Sequence, residues 1–165
     1  MIDNSSGTMR FLPVGLDVQG KSCVVVGGGS VGSRKVTNLR RAGAVVTVVS
    51  PAVSDELAGQ IDSGQIAWVQ EAFGEKHVGG AFLVVAATDD DALNAAVVQA
   101  AVSEGALACD ASSAERSQLI FGALLEDGDV TIAVFTGGRD PARARHIRDR
   151  LADLTGGKGD SEEEG

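Results

Sequence analysis

Residues 24–35 read VVVGGGSVGSRK, in which three valines lead into three glycines and a largely polar segment follows. Gly27, Gly29 and Gly32 match the pattern G-x-G-x-x-G. The glycines of this pattern permit a tight turn, a close approach of the backbone to a pyrophosphate, and close packing of a helix on a strand. The match follows a predicted strand and opens a predicted helix, and in that context it indicates dinucleotide binding.

The chain around this motif alternates between β-branched runs and helical patterns. Gly43 stands where the first helix should end, and Ser54 is a plausible N-cap for the second. This alternation predicts an α/β protein, a Rossmann-type doubly wound parallel sheet with right-handed crossovers. The predicted strands are 22–26, 45–49, 66–70, 81–88 and 106–111, and the predicted helices are 31–42, 54–63 and 91–105.

The pattern changes after residue 112. Two apolar runs at 119–125 and 130–136 flank an Asp-Gly turn, which predicts a β-hairpin, and an amphipathic helix follows it. We therefore expect four parts: a disordered leader at 1–10, a nucleotide-binding domain at 11–113, a hairpin and helix at 114–154, and a disordered acidic tail at 155–165.

Composition limits the classes of function. The chain has 165 residues and a net charge of −9, and its charge argues against nucleic-acid binding because phosphates would be repelled. No apolar run approaches the ~20 residues that cross a bilayer, and the first residues do not resemble a signal peptide. We expect a cytoplasmic protein without membrane contact. Cys23 and Cys109 fall inside predicted strands as free thiols, and we expect no metal site.

The motif predicts where a cofactor would lie, but it lacks one element. An acidic residue is expected after the second strand to hold the ribose hydroxyl, and this chain has serine and proline there. The motif alone therefore leaves NAD and NADP open. The acids after the fourth strand suit either a cofactor contact or a helix cap. The predicted cofactor-binding residues are Gly27, Gly29, Ser30, Val31, Gly32, Ser50, Pro51, Thr88 and Asp89.

Several segments, in order, resemble one known family. They are FLPVGLDVQGKSCVVVGGGSVGSRKV, GAVVTVVSP, GAFLVVAATDD, LIFGALL and TGGRDPARARHIRDRL. Together they are similar to the precorrin-2 dehydrogenase/sirohydrochlorin ferrochelatase family, the N-terminal module of siroheme synthase, over about residues 10–151. The resemblance implies an NAD-dependent oxidation of precorrin-2 to sirohydrochlorin by a homodimer. Some members also insert iron.

The chain differs from the family at the expected acid/base position. Ser112 stands where the family usually has an aspartate, and serine without a partner is a poor proton acceptor. Strand alternation would place Asp110 on the same face as Ser112, so that Asp110 supplies the carboxylate. Asp110 and Ser112 are the predicted catalytic residues, and a solvated acid at the strand end is the alternative role for Asp110.

The arginine-rich end of the resemblance suits an octacarboxylate such as precorrin-2, because guanidinium groups bind carboxylates through paired hydrogen bonds. The predicted substrate-binding residues are Thr136, Gly137, Gly138, Arg139 and Arg143, and Arg145, Arg148 and Arg150 extend the basic segment. A solvated helix face is the alternative role of this segment.

The sequence leaves three functions open. The first is a dehydrogenase that relies on a separate chelatase or a uroporphyrinogen methyltransferase as partner. The second is a bifunctional dehydrogenase and ferrochelatase. The third alternative is a non-catalytic NAD-binding sensor or tetrapyrrole carrier.

Overall fold

The computed structural model describes residues 10–155 and 158–159, so that the predicted leader lies outside the described residues except for Arg10. Contacts divide the chain into two units. One unit is Gly15–Leu119, and the described residues on either side of it form the other. The first unit extends beyond the predicted end at 113 because its last residues bond back to a strand. The side chain of Gln118 accepts from the Ala108 N–H, and its own N–H donates to the Ala108 carbonyl.

The first unit contains a five-stranded parallel sheet in the order β3-β2-β1-β4-β5. This order and the flanking helices confirm the predicted Rossmann-type fold. The strands are β1 Ser22–Val26, β2 Val45–Val49, β3 Ala67–Val69, β4 Leu83–Ala86 and β5 Leu107–Asp110. The helices are α1 Ser30–Arg41, α2 Asp55–Asp62 and α3 Asp91–Ser103, with a 3-10 helix at Glu75–Val78.

The helix ends follow the predicted capping chemistry. Ser54 caps α2 by accepting from the Leu57 N–H, and Asp90 caps α3 by accepting from the Leu93 N–H. Ala42 is the C-cap of α1, and Gly43 follows it with a φ of +82°, a backbone conformation that favours glycine. These caps fix where each helix begins or ends relative to the strand beside it.

The core of this unit consists mainly of valine and alanine. Buried side chains of β1 and β4 pack against α3, in which Val97 and Ala101 are fully buried. Cys23 and Cys109 are buried free thiols, as predicted, and burial raises the pKa of each to about 11. Val45, the first residue of β2, is 60% exposed, so that this strand is not buried along its whole length.

The second unit contains an antiparallel sheet in the order β7-β6-β8 and one helix. These elements are β6 Ala123–Asp127, β7 Val130–Val134, β8 Lys158–Gly159 and α4 Pro141–Thr155. β8 falls within the segment 155–165 that the sequence predicts to be disordered, and pairs with β6 there. Residues 156–157 and 160–165 lie outside the described residues.

The hairpin turn differs by one residue from the predicted Asp-Gly turn. Asp127 pairs with Val130, so that Gly128 and Asp129 are the two central residues. Gly128 has a φ of +61°, and no residue other than glycine has a positive φ among the described residues. Glycine in the first central position is typical of a type II′ turn. None of the helices in the described part of the chain is long and apolar enough to span a membrane.

Candidate functional site

The candidate site lies at the carboxyl edge of the parallel sheet. β1 lies between β2 and β4, and the chain leaves β1 toward β2 on one side and later returns to β4 on the other. In open α/β sheets, ligands bind at the carboxyl ends of the strands where the strand order reverses. The loops after β1, β2, β4 and β5 therefore form the candidate ligand-binding edge.

Three glycines after β1 have structural reasons for lacking a side chain. A Cβ at Gly27 would overlap the carbonyl oxygen of Ala87, and Gly27 has a φ of +120°. A Cβ at Gly28 would overlap the carbonyl oxygen of Ala52, and a Cβ at Gly32 would overlap that of Gly27. The turn therefore packs tightly against the loops after β4 and β2 and against its own helix.

Gly29 is different, because nothing lies within 4 Å of the position that its Cβ would take. Its φ is −86°, which any residue adopts, and it is the N-cap of α1 without a capping side chain. α1 also has no acidic residue in its first turn, and its first N–H groups lack partners within the helix. Open space at Gly29, beside the N-terminus of α1, fits a pyrophosphate, since phosphates bind at helix N-termini.

The side chain of Ser50 forms its hydrogen bond within its own loop. Its hydroxyl donates to the Ala52 carbonyl at 2.7 Å, its N–H donates to the Val69 carbonyl, and the residue is buried. This loop covers Gly28, so that Ser50 shapes one wall of the glycine turn. The neighbouring Pro51 is exposed.

The loop after β4 is tied together by Asn94, which is 1% exposed. Its Oδ1 accepts from the Thr88 N–H at 3.0 Å and from the Thr88 hydroxyl at 2.7 Å. Its Nδ2 donates to the Thr88 carbonyl and, at 3.3 Å, to the Ser112 hydroxyl. Thr88 is thus held by α3, whereas Asp89 beside it is exposed and leaves the capping role to Asp90.

Asp110, the last residue of β5, has a side chain with no exposure to solvent. Its Oδ1 accepts from the Ser112 N–H at 2.8 Å and from the Ser112 hydroxyl at 2.6 Å, and its Oδ2 accepts from Arg116 Nε at 2.6 Å. Burial by itself would raise the pKa of Asp110, but the hydrogen bonds from Ser112 and Arg116 outweigh it, so the pKa lies below its ordinary value. Asp110 is therefore an ionised, buried acceptor rather than a solvated strand-end acid.

Ser112 reaches Asp110 by a different route from the predicted one. β5 ends at Asp110 and the chain turns there, so strand alternation does not apply to residue 112. The carboxylate instead accepts from the backbone and side chain two residues on, as in an Asx-turn. Ser112 is exposed, and it directs its hydroxyl hydrogen toward Asp110. The same hydroxyl oxygen accepts from Asn94 Nδ2 at 3.3 Å and lies 3.4 Å from Arg116 Nη2, so that its orientation is fixed from three sides.

Arg116 lies between two carboxylates. Its Nε binds buried Asp110, while Nη1 and Nη2 bind both carboxylate oxygens of Asp91, the first residue of α3. Hydrogen bonds with Asp91 and then Asp110 raise the pKa of Arg116 further above its ordinary value, so that it stays charged. The network joins the loop after β5 to the start of α3.

The second unit holds the residues predicted to bind substrate. The Thr136 hydroxyl donates to the Asp140 carbonyl at 2.7 Å, and Gly137 and Gly138 both have positive φ, so that residues 136–140 form a tight turn. Arg139 and Arg143 are exposed beside it. Arg148 is 6% exposed and pairs with Asp149, so it is not part of the open basic face that the sequence suggested.

Asn94 and Arg116 are two residues of the site that were not predicted from the sequence. Asn94 carried a detectable indication, because it shares the buried face of α3 with Val97 and Ala101, where a polar residue needs a partner. Arg116 carried none, since its role depends on how residues 111–117 fold back. Within residues 10–155 no group of three or more His, Cys, Asp or Glu side chains is placed to hold a metal ion.

Known proteins are similar to this chain in sequence and in fold. Residues 14–123 match a family model described as putative NAD(P)-binding. A solved structure titled "SirC, precorrin-2 dehydrogenase" superposes with a TM-score of 0.77 at 30% identity, covering 87% of this chain and 71% of that one. The chain belongs to the precorrin-2 dehydrogenase family.

Siroheme synthases are further relatives in this family. The siroheme synthase of Nitrosococcus oceani is 39% identical over 88% of this chain, and siroheme synthase 1 of Pectobacterium atrosepticum is 38% identical over 88%. The chain covers 31% and 30% of these two proteins, so that it spans about a third of their length. The likeness concerns that part of the synthases alone.

Proposed function

We propose that the chain is an NAD-dependent precorrin-2 dehydrogenase that oxidises precorrin-2 to sirohydrochlorin. The observation that carries the proposal is the open position at Gly29, in front of the N-terminus of α1, in a chain of the precorrin-2 dehydrogenase family. The protein itself does not require glycine there, whereas a dinucleotide that approaches the backbone does. NAD is the cofactor in this proposal.

The cofactor contacts follow from the edge of the sheet. Gly29, Ser30 and Val31 would hold the pyrophosphate through their backbone, and Gly27 and Gly32 bring the helix close enough for this. Pro51 and Asp89 are exposed on the two flanking loops and are proposed to contact the cofactor directly. Ser50 and Thr88 act by holding those loops in place. When bound, NAD accepts the hydride that leaves precorrin-2.

In this proposal Ser112 contacts the substrate, and Asp110 orients the Ser112 hydroxyl. Ser112 is exposed at the carboxyl edge of the sheet, and Asp110 fixes the orientation of its hydroxyl. The oxidation releases a proton together with the hydride, and in this proposal the Ser112 hydroxyl positions the reacting ring while that proton leaves to water. Asp110, which is buried and has a lowered pKa, orients the hydroxyl without touching the substrate.

The remaining contacts involve the second unit and other chains. The turn of Thr136, Gly137 and Gly138 with exposed Arg139 and Arg143 is proposed to bind substrate carboxylates, for which guanidinium groups are suited. A homodimer, a separate chelatase or methyltransferase as partner, and a cytoplasmic location also stay predictions from the sequence.

Anaerobic incubation of the purified chain with precorrin-2 and NAD tests the proposal. We expect NADH and sirohydrochlorin to appear in equal amounts, and NADP to support the oxidation more slowly than NAD. Ser112→Ala should reduce kcat more than KM. NAD binding without NADH formation would contradict the dehydrogenase and favour the sensor or carrier. Iron added after the oxidation separates the bifunctional enzyme from a dehydrogenase alone.

A further inference from the structure

The guanidinium of Arg116 has one anchored edge and one exchangeable edge. The anchored edge is Nε, bound at 2.6 Å to Asp110, whose side chain has no exposure. The exchangeable edge is the pair Nη1 and Nη2, bound to Asp91, whose side chain is 74% exposed. Water screens an ion pair with so exposed a partner, and the Asp91 side chain is free to move away into solvent. Another carboxylate can therefore compete with Asp91 for this edge.

The geometry of that edge suits a carboxylate from outside the chain. Both oxygens of Asp91 meet the two terminal nitrogens of Arg116, the paired arrangement by which arginine recognises free carboxylates. Because Asp110 holds the other edge, the guanidinium stays oriented when Asp91 leaves. Arg116 Nη2 also lies 3.4 Å from the Ser112 hydroxyl. A carboxylate bound there would lie beside the group assigned to the reacting ring.

We propose that Arg116 is a binding residue for one substrate carboxylate, and that Asp91 occupies this position in the free protein and is displaced on binding. The inference rests on the proposed function for the choice of substrate, a tetrapyrrole with carboxylate side chains. Asp110 occupies only the Nε edge of Arg116, so that both terminal nitrogens remain available for the substrate carboxylate once Asp91 leaves. Asp91 is thereby an internal competitor of the substrate.

Equilibrium binding of uroporphyrin, a fluorescent porphyrin with eight carboxylates, tests the inference without turnover. Asp91→Asn removes the competitor and should lower Kd about two- to fivefold, as expected for loss of an exposed ion pair. Arg116→Gln should raise Kd about tenfold or more, because a paired charge-assisted contact is lost. Arg116→Lys should recover only part of the loss, since lysine keeps the charge without the paired geometry.

Two controls separate displacement from a general charge effect. Glu104, exposed at the other end of α3, loses the same charge in Glu104→Gln, and this variant should bind like the unaltered chain. In the double variant Asp91→Asn/Arg116→Gln, the gain from Asp91→Asn should disappear. Equal gains in the two backgrounds, or an Asp91→Asn variant that binds no more tightly than Glu104→Gln, would overturn the inference.

The result of the uroporphyrin binding experiment does not depend on the result of the dehydrogenase assay. A chain that forms no NADH but shows the coupled effect of Asp91 and Arg116 on uroporphyrin binding contradicts the proposed function and supports the carboxylate site. A chain that forms NADH but shows no coupling contradicts the carboxylate site alone. If Arg116→Gln does not fold, the comparison of Asp91→Asn with Glu104→Gln still decides.

Discussion

Gly29 and Gly59 are both glycines around which the protein leaves space for a Cβ. Gly29→Ala should therefore lower the free energy of unfolding by no more than about 1 kcal/mol, the cost of a poorer N-cap. It should weaken NAD binding about tenfold or more, because the methyl group takes the place of the pyrophosphate. Isothermal titration calorimetry with NAD measures the effect.

Gly59→Ala is the matched control, since Gly59 lies within α2 and away from the glycine turn. It should bind NAD normally and stabilise the protein by about 0.5–1 kcal/mol through helix propensity. Unchanged NAD affinity in Gly29→Ala would show that the open position is not where the cofactor lies.

Asp110 provides a prediction on pH. Its pKa is lowered in the folded chain, so its contribution to stability is present above the unfolded pKa and is lost as the pH falls through the folded pKa. Asp110→Asn should therefore cost about 1.5–3 kcal/mol at neutral pH, the range for hydrogen bonds to a charged group. Urea denaturation of both proteins should show this difference shrinking as the pH falls below the ordinary carboxyl range. A difference that is constant with pH would contradict the ionised pair.

At the scale of elements, Asn94 joins α3 to the loops after β4 and β5. Asn94→Ala leaves the partly buried N–H of Thr88 without its acceptor and should destabilise the protein by about 1–3 kcal/mol. It also removes a donor to Ser112 and should lower kcat. Asn38→Ala, on half-buried Asn38 of α1, is the comparison. Thermal unfolding and NADH formation measure the two effects, and equal losses in both variants would contradict the linking role.

The hairpin turn provides a second prediction at this scale. Gly128 has a φ of +61°, so Gly128→Ala should cost about 1 kcal/mol. Asp129→Ala should cost less, since Asp129 has no positive φ. Hydrogen exchange of the amides in β6 and β7 measures the difference, and equal exchange in the two variants would contradict the type II′ turn.

The elements also show what the sequence can and cannot predict. Their order and the Rossmann-type sheet were predictable, because β-branched runs and helix caps are local patterns. The hairpin was predicted but its central pair was not, since the register Asp127 with Val130 depends on pairing across strands. Likewise Asp110 and Ser112 were expected together, but the turn after β5 that joins them, and the Arg116 contact, depend on how the loop folds.

For the molecule as a whole, cofactor binding should stabilise the unit Gly15–Leu119, which holds the glycine turn. A ligand that binds only the folded state at 100 times its Kd adds about 2.7 kcal/mol. Thermal unfolding should therefore shift upward with NAD in the unaltered chain. An absent shift at saturating NAD would contradict cofactor binding by this unit.

The NAD(P)-binding family and the precorrin-2 dehydrogenase likeness predicted from the sequence are confirmed by the comparisons. The catalytic, cofactor and substrate residues stay predictions, as do the boundaries of the four predicted parts.

The most direct test is to supply precorrin-2 and NAD anaerobically to the unaltered chain and to Gly29→Ala in parallel, and to follow NADH by absorbance. We expect NADH in step with sirohydrochlorin from the unaltered chain, and a rate lower by about tenfold or more from a normally folded Gly29→Ala at subsaturating NAD. No NADH from the unaltered chain, or equal rates from both, would contradict it.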